Sequence, residues 1–194
     1  ALEIYRGNKQ DEEAAKALAN LGMVYTKQGD FTKALKFQLL AAPIFAKEGD
    51  KQSLVRTYNA IANIYRRQQD FDKSLEFHFK GINIREEIND EKGLGISYMN
   101  IGNVYRDMKK YPEALKYYNR SLSIKNKYED SKSISLLLDN MGVLYFELGK
   151  YPDAEKYFLY SLEIAVKIED KNGIGTLAND LANTSSEKTC RRSP

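Results

Sequence analysis

The fold of this chain is decided by residues 98–131, whose sequence is YMNIGNVYRDMKKYPEALKYYNRSLSIKNKYEDS. The stretch has three further copies at a constant spacing of 40 residues, beginning at Leu18, Tyr58 and Leu138. The copies share apolar, small and aromatic residues at equivalent positions: Leu21, Ile61, Ile101 and Met141; Gly22, Ala62, Gly102 and Gly142; Tyr25, Tyr65, Tyr105 and Tyr145. A fixed period of this length predicts an array of stacked units.

Each copy contains two segments with the apolar spacing of a helix. In the third copy one helical stripe is formed at i, i+3, i+4 and i+7 by Tyr98, Ile101, Gly102 and Tyr105. A second stripe follows in Leu115, Tyr118 and Leu122. Propeller blades of similar period need four short strands with turn residues between them, and this spacing does not provide them. We therefore predict an all-α fold.

The copies resemble the tetratricopeptide repeat. That pattern runs apolar, two residues, Leu-Gly, two residues, Tyr, and later Ala, three residues, Phe. The third copy matches it with Tyr98, Ile101-Gly102, Tyr105, Ala114 and Tyr118, and the fourth with Leu138, Met141-Gly142, Tyr145, Ala154 and Phe158. The resemblance implies a right-handed superhelical solenoid of antiparallel helix pairs.

The repeat is longer than the usual family unit of about 34 residues. The family's usual Pro near the end of the unit is replaced by Ala46, Glu86, Asn126 and Val166. In this long form the chain resembles the Leu-Gly-Asn repeat scaffolds and bacterial tetratricopeptide signalling proteins. Their phrase Leu-Gly-Asn-x-Tyr appears here as Ile101-Gly102-Asn103-Val104-Tyr105.

The register divides the chain into four repeats and two ends. We expect repeats at residues 11–50, 51–90, 91–130 and 131–170, with first helices that follow an acidic N-cap at Asp50, Asp90, Asp130 or Asp170. Residues 1–10 are interpreted as the end of a truncated preceding repeat, with degenerate capping sequence as the alternative. Residues 171–184 are expected to form a capping helix and residues 185–194 a disordered tail, with a binding tail as the alternative. The equivalent residues Leu21, Ile61, Ile101 and Met141 are expected in the core.

Composition indicates a soluble globular protein. Of 194 residues, 42% are hydrophobic and 29% charged, and the net charge of +3 predicts no large field toward nucleic acid or membrane. Cys190 is the only cysteine, which excludes an internal disulfide and fits a reducing compartment. The longest apolar run, residues 39–46, is too short to span a bilayer, and no signal peptide precedes the first repeat. We expect a cytoplasmic protein. Because the chain begins with Ala rather than Met, an upstream targeting sequence remains open.

The inventory of chemistry-bearing residues argues against catalysis. His78 is the only histidine and falls at an aromatic packing position of the second copy, so zinc patterns are missing and any His-based triad would need His78. Gly93-Leu94-Gly95 lacks the third Gly of a dinucleotide fingerprint, and no strand precedes it. We predict no catalytic residue, no metal and no cofactor.

By the family resemblance, the first helices line a concave groove. The groove residues that we single out for peptide binding are Arg56, Asn59, Asn63, Arg66, Met99, Asn103, Arg106, Asp139, Val143 and Phe146. The inward positions of the first copy are Lys16, Ala19, Met23 and Thr26. Asn63 and Asn103 can bind a peptide backbone because a carboxamide both donates and accepts, and hydrogen bonds to neighbouring helices are the alternative. Asn20, Asn100 and Asn140 are interpreted as structural.

These patterns predict a non-catalytic scaffold that binds a protein segment. Arg66 and Arg106 are expected to bind a carboxylate, and an apolar shelf is expected from Leu136, Val143 and Phe146, so the expected partner is an extended acidic and hydrophobic segment. One alternative is a sensor or regulatory region of a larger bacterial signalling protein. Nucleic-acid binding is another, through Arg56, Arg66, Arg67 and Arg106, but the near-neutral charge argues against it. No membrane partner is expected.

Overall fold

The computed structural model describes the backbone of residues 2–190 and the side chains of residues 10–188. All regular structure in that part of the chain is helical: α1 (Leu2–Gln28), α2 (Phe31–Glu48), α3 (Lys51–Arg67), α4 (Phe71–Glu87), α5 (Glu91–Asp107), α6 (Tyr111–Lys127), α7 (Ser131–Glu147), α8 (Tyr151–Lys167) and α9 (Lys171–Cys190). Two compact units are present, residues 1–97 and 98–194. No helix within residues 2–190 has a stretch long and apolar enough to cross a membrane.

The same capped turn closes successive helices. Asp50 accepts a hydrogen bond from the Ser53 N–H over 2.9 Å, and Asp130 accepts one from the Ser133 N–H over 3.2 Å. Each satisfies a backbone donor that has no partner within the helix. Before the cap the chain turns through a left-handed residue, which is Gly49 at φ 72° before Asp50 and Glu129 at φ 51° before Asp130. The predicted acidic N-caps are confirmed.

The first unit has its core between α1, α2 and α3. Its buried members are Ala15, Ala41, Ala42, Phe45, Leu54 and Ile61, and half-buried aromatic residues of α3 and α4 pack against them. The second unit has two core clusters. The first contains Met99, Ala114, Tyr118, Leu137, Met141 and Leu144, and the second contains Ala154, Phe158, Ala165 and Leu177. Each cluster joins the helices of one pair to the first helix of the next pair, as expected of a repeat array.

The recurring glycine allows the two helices of a pair to approach closely. A Cβ atom on Gly102 would lie 2.4 Å from Tyr118 Cδ1, and one on Gly142 would lie 2.6 Å from Phe158 Cδ1. Both distances are shorter than side-chain carbons tolerate, so an alanine at either position would force the facing ring to shift. The second repeat has Ala62 here and a smaller ring, His78, in place of the tyrosine or phenylalanine. We attribute the tolerance of Ala62 to that smaller ring.

One predicted core residue is on the surface. Ile61, Ile101 and Met141 are at most 2% exposed, but Leu21 is 43% exposed. In the second repeat the equivalent Ile61 packs in the core cluster that α1, α2 and α3 form. Within residues 2–190 no helix precedes α1 to cover Leu21 in the same way.

The structure differs from the expectation at both ends. Helix α1 is continuous from Leu2, so residues 2–10 are part of the first helix of repeat one and not a separate preceding helix. Gln10 stands where later repeats have the capping Asp, and its longer side chain is not a preferred N-cap. Helix α9 extends past the predicted end at residue 184, and Lys188 in its last turn forms an ion pair of 2.8 Å with Glu155 of α8. The remainder of the predicted tail, residues 191–194, lies outside the described residues.

Candidate binding surfaces of the two units

A cavity of about 350 Å³ lies between α1, α2 and α3 in the first unit. Its lining residues are Lys16, Ala19, Asn20, Met23, Gln38, Phe45, Ser53, Arg56, Thr57 and Ala60. They include three predicted inward positions of the first repeat and Arg56 of the second. The first helices of these two repeats therefore face a common space. Asn20, which we interpreted as structural, is instead exposed and lines this cavity.

The cations beside this cavity differ in their availability to a ligand. Lys16 forms an ion pair with Glu12 on its own helix. Arg56 is exposed and donates from Nη2 to Ser53 Oγ over 3.1 Å, and it forms no ion pair within residues 10–188. Burial would raise the pKa of Asp50, but hydrogen bonds from Ser53 and the nearby charges of Arg56 and Lys16 hold it below its ordinary value. Arg56 is thus the cation that can bind a ligand carboxylate here.

Asn59 is engaged by the second helix of its own repeat. His78 Nδ1 donates to Asn59 Oδ1 over 3.3 Å, since a carboxamide oxygen can only accept. Burial, together with the charge of Arg66, lowers the pKa of His78 to about 4. His78 is therefore neutral at pH 7 and fully buried, which confirms the prediction that it is a packing residue.

The equivalent residues Asn63 and Asn103 have different environments. Tyr118 donates from its hydroxyl to Asn103 Oδ1 over 2.6 Å, so the carboxamide oxygen of Asn103 is already used between α5 and α6. Asn63 is half-buried, and its side chain makes no hydrogen bond within residues 10–188. His78 occupies the place of Tyr118 in that repeat and is too short to carry a donor to the same point. Both groups of Asn63 can therefore bind a peptide backbone, while Asn103 has only its amide left.

Met99 does not lie on an open groove, which corrects our assignment. It is 8% exposed and belongs to the core cluster with Leu137 and Met141 of α7. An apolar side chain at this position gains more from packing against the next first helix than from exposure to solvent. Met99 is therefore part of the packing between repeats.

Arg106 is surrounded by acids of the second unit. Its guanidinium lies 3.7 Å from Glu147 and 3.5 Å from Asp107, and it donates to Asn140 Oδ1 over 3.5 Å. Asn140 also donates to the Leu136 carbonyl, as expected of a structural residue. These neighbours reduce the attraction of Arg106 for a ligand carboxylate. Arg66 is in the first unit, and joint binding of one carboxylate by Arg66 and Arg106 stays a prediction.

The predicted apolar shelf is only partly open. Leu136 is 51% exposed. Val143 and Phe146 are half-buried and pack against the cluster around Phe158 and Leu177. Helix α9 thus covers part of the surface that the sequence assigned to hydrophobic side chains of a ligand.

Asp139 lines a second cavity, of about 340 Å³, between α7 and α9. Its Oδ1 atom is buried and has no hydrogen-bond partner among the side chains and backbone that the structure describes. Burial and the nearby charge of Asp180 raise the pKa of Asp139 to about 6, and the charge of Arg106 partly opposes them. Among the side chains of residues 10–188 no group of three or more His, Cys, Asp or Glu is arranged to hold a metal ion.

The family model described as tetratricopeptide repeat matches residues 12–87, 53–127 and 93–167. The matched segments cover more than half of the chain, and the helix pairs described above have the expected architecture. The chain belongs to the tetratricopeptide repeat family.

Solved structures share this fold at low sequence identity. A signal transduction ATPase with numerous domains from Pyrococcus horikoshii, which has a tetratricopeptide repeat sensor, gives a TM-score of 0.78 at 23% identity over 94% of this chain and 28% of that chain. Aspartyl phosphate phosphatase F from Bacillus subtilis gives 0.78 at 15% identity over 86% of this chain and 44% of that chain. BtubC (BKLC) from P. vanneervenii gives 0.69 at 18% identity over 97% and 91% of the two chains.

The chain therefore spans less than half of the phosphatase and less than a third of the ATPase. No curated protein sequence matches the chain.

Proposed function

We propose that this protein is a non-catalytic scaffold that binds an extended protein segment on the inner face of its first helices. The observation that carries the proposal is the cavity of about 350 Å³ in the first unit, which is lined from both α1 and α3. Protein pockets that hold ligand groups begin at roughly 300 Å³. A cytoplasmic location would fit this role.

The chemistry of this cavity favours an acidic and hydrophobic segment. Ala19, Met23, Phe45 and Ala60 provide apolar walls for a hydrophobic side chain. Arg56 at the edge can bind a carboxylate through two parallel N–H donors. Asn63 on the same helix has both its donor and its acceptor available for a peptide backbone. For a single short segment we expect an affinity of roughly 1 μM, or about −8 kcal/mol.

The proposal is tested by selecting peptides from a displayed random library and measuring the best binder by titration calorimetry. Arg56→Glu should weaken binding at least about tenfold, which corresponds to about 1.4 kcal/mol. Met23→Asp should do the same, because it places a charge in the apolar wall. Met23 is 51% exposed, so neither change removes a core contact.

Lys36→Glu is the matched control. Lys36 is exposed on α2, lines no part of the cavity and forms no ion pair within residues 10–188, so its reversal should leave affinity unchanged. Circular dichroism would verify that all three variants are folded. If Arg56→Glu and Met23→Asp bind the selected peptide as tightly as the control does, the site is elsewhere and the proposal fails.

A second candidate is the sensor or regulatory region of a larger signalling protein. It is favoured by the similarity to the Pyrococcus ATPase with a tetratricopeptide repeat sensor, of which this chain would span 28%. The complete gene tests it, since an ATPase, kinase or DNA-binding module in the same reading frame would support it and a repeat array alone would contradict it. Direct nucleic-acid binding would instead appear as steeply salt-dependent affinity for a labelled DNA duplex, and we expect none.

A further inference from the structure

Asp139 differs from its counterpart in the second repeat in having no polar group opposite it. The counterpart is Asn59, which accepts a hydrogen bond from His78 of the paired helix. In the fourth repeat the residue equivalent to His78 is Phe158, which is 1% exposed and presents only carbon. The buried Oδ1 atom of Asp139 consequently has no partner within the described residues.

The charges around Asp139 do not neutralise it. Arg106 contributes a favourable charge but no ion pair with Asp139, because its guanidinium lies against Glu147 and Asp107. Burial raises the pKa values of Glu147 and Asp180 above their ordinary values, as it does for Asp139. Burial shifts the pKa of a carboxyl group in this direction because it disfavours the charged form. This part of the second unit therefore has an excess of negative charge.

The cavity beside Asp139 has both polar and apolar walls. The polar ones include Ser133, Ser135 and Thr176, and the apolar ones are Leu136 and Leu177. Two further charged residues line it, Lys132 and Asp170, which have opposite signs. Asp170 is used as a helix cap, since it accepts from the Gly173 N–H over 3.1 Å. The volume of the cavity, about 340 Å³, suits one large side chain rather than the surface of a folded protein.

We infer that this cavity takes the cationic side chain of a lysine or arginine from the bound protein segment, with the charged head at Asp139 and the stem against Leu136 and Leu177. Such side chains have an apolar stem and a charged tip, so both parts match the walls. A cationic donor also supplies the hydrogen bond that the buried Asp139 oxygen lacks. The inference rests on the proposed function, and it adds a basic residue to the acidic and hydrophobic segment.

The test uses amino-acid amides, so it requires no knowledge of the natural partner. Nα-acetyl-lysine methylamide and its arginine analogue are titrated into the ¹⁵N-labelled protein, with the uncharged norleucine analogue as the matched control probe. We expect saturable shifts of the Ser133, Ser135 and Thr176 amides with the two cationic probes and none with norleucine. Acidification from about pH 7 to about pH 5 protonates Asp139 and should weaken binding about tenfold.

Asp139→Asn should abolish the saturable shifts. The protein tolerates Asn at the equivalent position 59, so the variant should fold. Asp153→Asn is the control variant, because Asp153 is exposed on α8 and lines no part of the cavity. Equal shifts with norleucine, undiminished shifts in Asp139→Asn, or no saturable shift at the solubility limit would each overturn the inference. So would saturation of the same amides by calcium alone.

These outcomes separate the inference from the proposed function. If a selected peptide binds the first unit through Arg56 while the lysine amide leaves the α7–α9 cavity unaffected, the basic-residue inference fails and the scaffold proposal stands. If the lysine amide binds at Asp139 but no displayed peptide depends on Arg56, the cavity at Asp139 is a site for a cationic side chain and the proposed binding site in the first unit fails.

Discussion

The Tyr118 hydroxyl donates a hydrogen bond of 2.6 Å to Asn103 Oδ1 and so joins the two helices of the third repeat. The side chain of Tyr118 is fully buried. The second repeat has His78 and Asn63 at the same places, and there the histidine bonds Asn59 instead, one turn earlier on the helix. A single facing residue thus decides which inner-face amide is structural and which is open to a ligand. The variants below test that relationship.

Tyr118→Phe removes the hydroxyl but keeps the ring. We expect a loss of about 1 kcal/mol in the free energy of unfolding, the usual contribution of one hydrogen bond. Urea denaturation measures it. Tyr160→Phe is the control, because Tyr160 is 48% exposed and its change should be within about 0.5 kcal/mol of zero. Equal costs for both variants would mean that the Tyr118 hydroxyl contributes nothing specific.

Two glycine-to-alanine substitutions should change the stability of the protein in opposite directions. Gly102→Ala brings a Cβ atom to 2.4 Å from Tyr118 Cδ1, and the forced shift of a packed ring should cost about 1–3 kcal/mol. Gly175→Ala in α9 meets no atom within 4 Å and should stabilise by about 0.5–1 kcal/mol, because alanine loses less entropy in a helix. Thermal melts of both variants give the signs. A stabilised Gly102→Ala would show that α5 and α6 are not in close contact.

Most of the fold could be predicted from the sequence, because period and capping are local properties. The predicted first helices begin at Lys51, Glu91, Ser131 and Lys171, as observed. The exposure of Leu21 could not be predicted, because the register says which face of a helix is apolar but not whether another pair covers it. The continuity of α1 had a usable signal in Gln10, where later repeats have Asp.

Less of the candidate site could be predicted. One position of the repeat holds Ala19, Asn59, Met99 and Asp139, and the structure gives these residues different environments. Met99 is buried in a core cluster, whereas Asp139 lines a cavity. The register of the repeat assigns these four residues to one equivalent position, but it does not take into account which residues pack around each of them. The sequence did contain a signal for an acid without a partner: the position that faces Asp139 on the paired helix holds Phe158, which has no polar group.

The hydrogen bond between Tyr118 and Asn103 of the third repeat should be reproducible in the second repeat by two substitutions, His78→Tyr and Ala62→Gly. His78→Tyr alone should destabilise by about 1–3 kcal/mol, because the larger ring meets the Cβ atom of Ala62. Adding Ala62→Gly removes that atom and lets the new hydroxyl reach Asn63. We expect a coupling free energy of at least about 1 kcal/mol in the double-mutant cycle. Additive effects, within error, would refute the proposed match between ring size and the small residue.

The burial of His78 should make stability depend on pH in a definite direction. Its pKa is about 4 in the folded protein and 6.5 as its ordinary value, so between these values the unfolded chain binds more protons. Stability is therefore lost as pH falls through this window.

His78→Asn keeps a side-chain N–H for Asn59 but does not titrate. Between about pH 7.5 and about pH 4.5 the wild type should lose about 2–3 kcal/mol more than this variant in urea melts. Comparison with the variant cancels the opposite contribution of Asp139, whose raised pKa favours the folded state as pH falls. Parallel pH profiles would show that His78 is protonated without unfolding and is not buried as described.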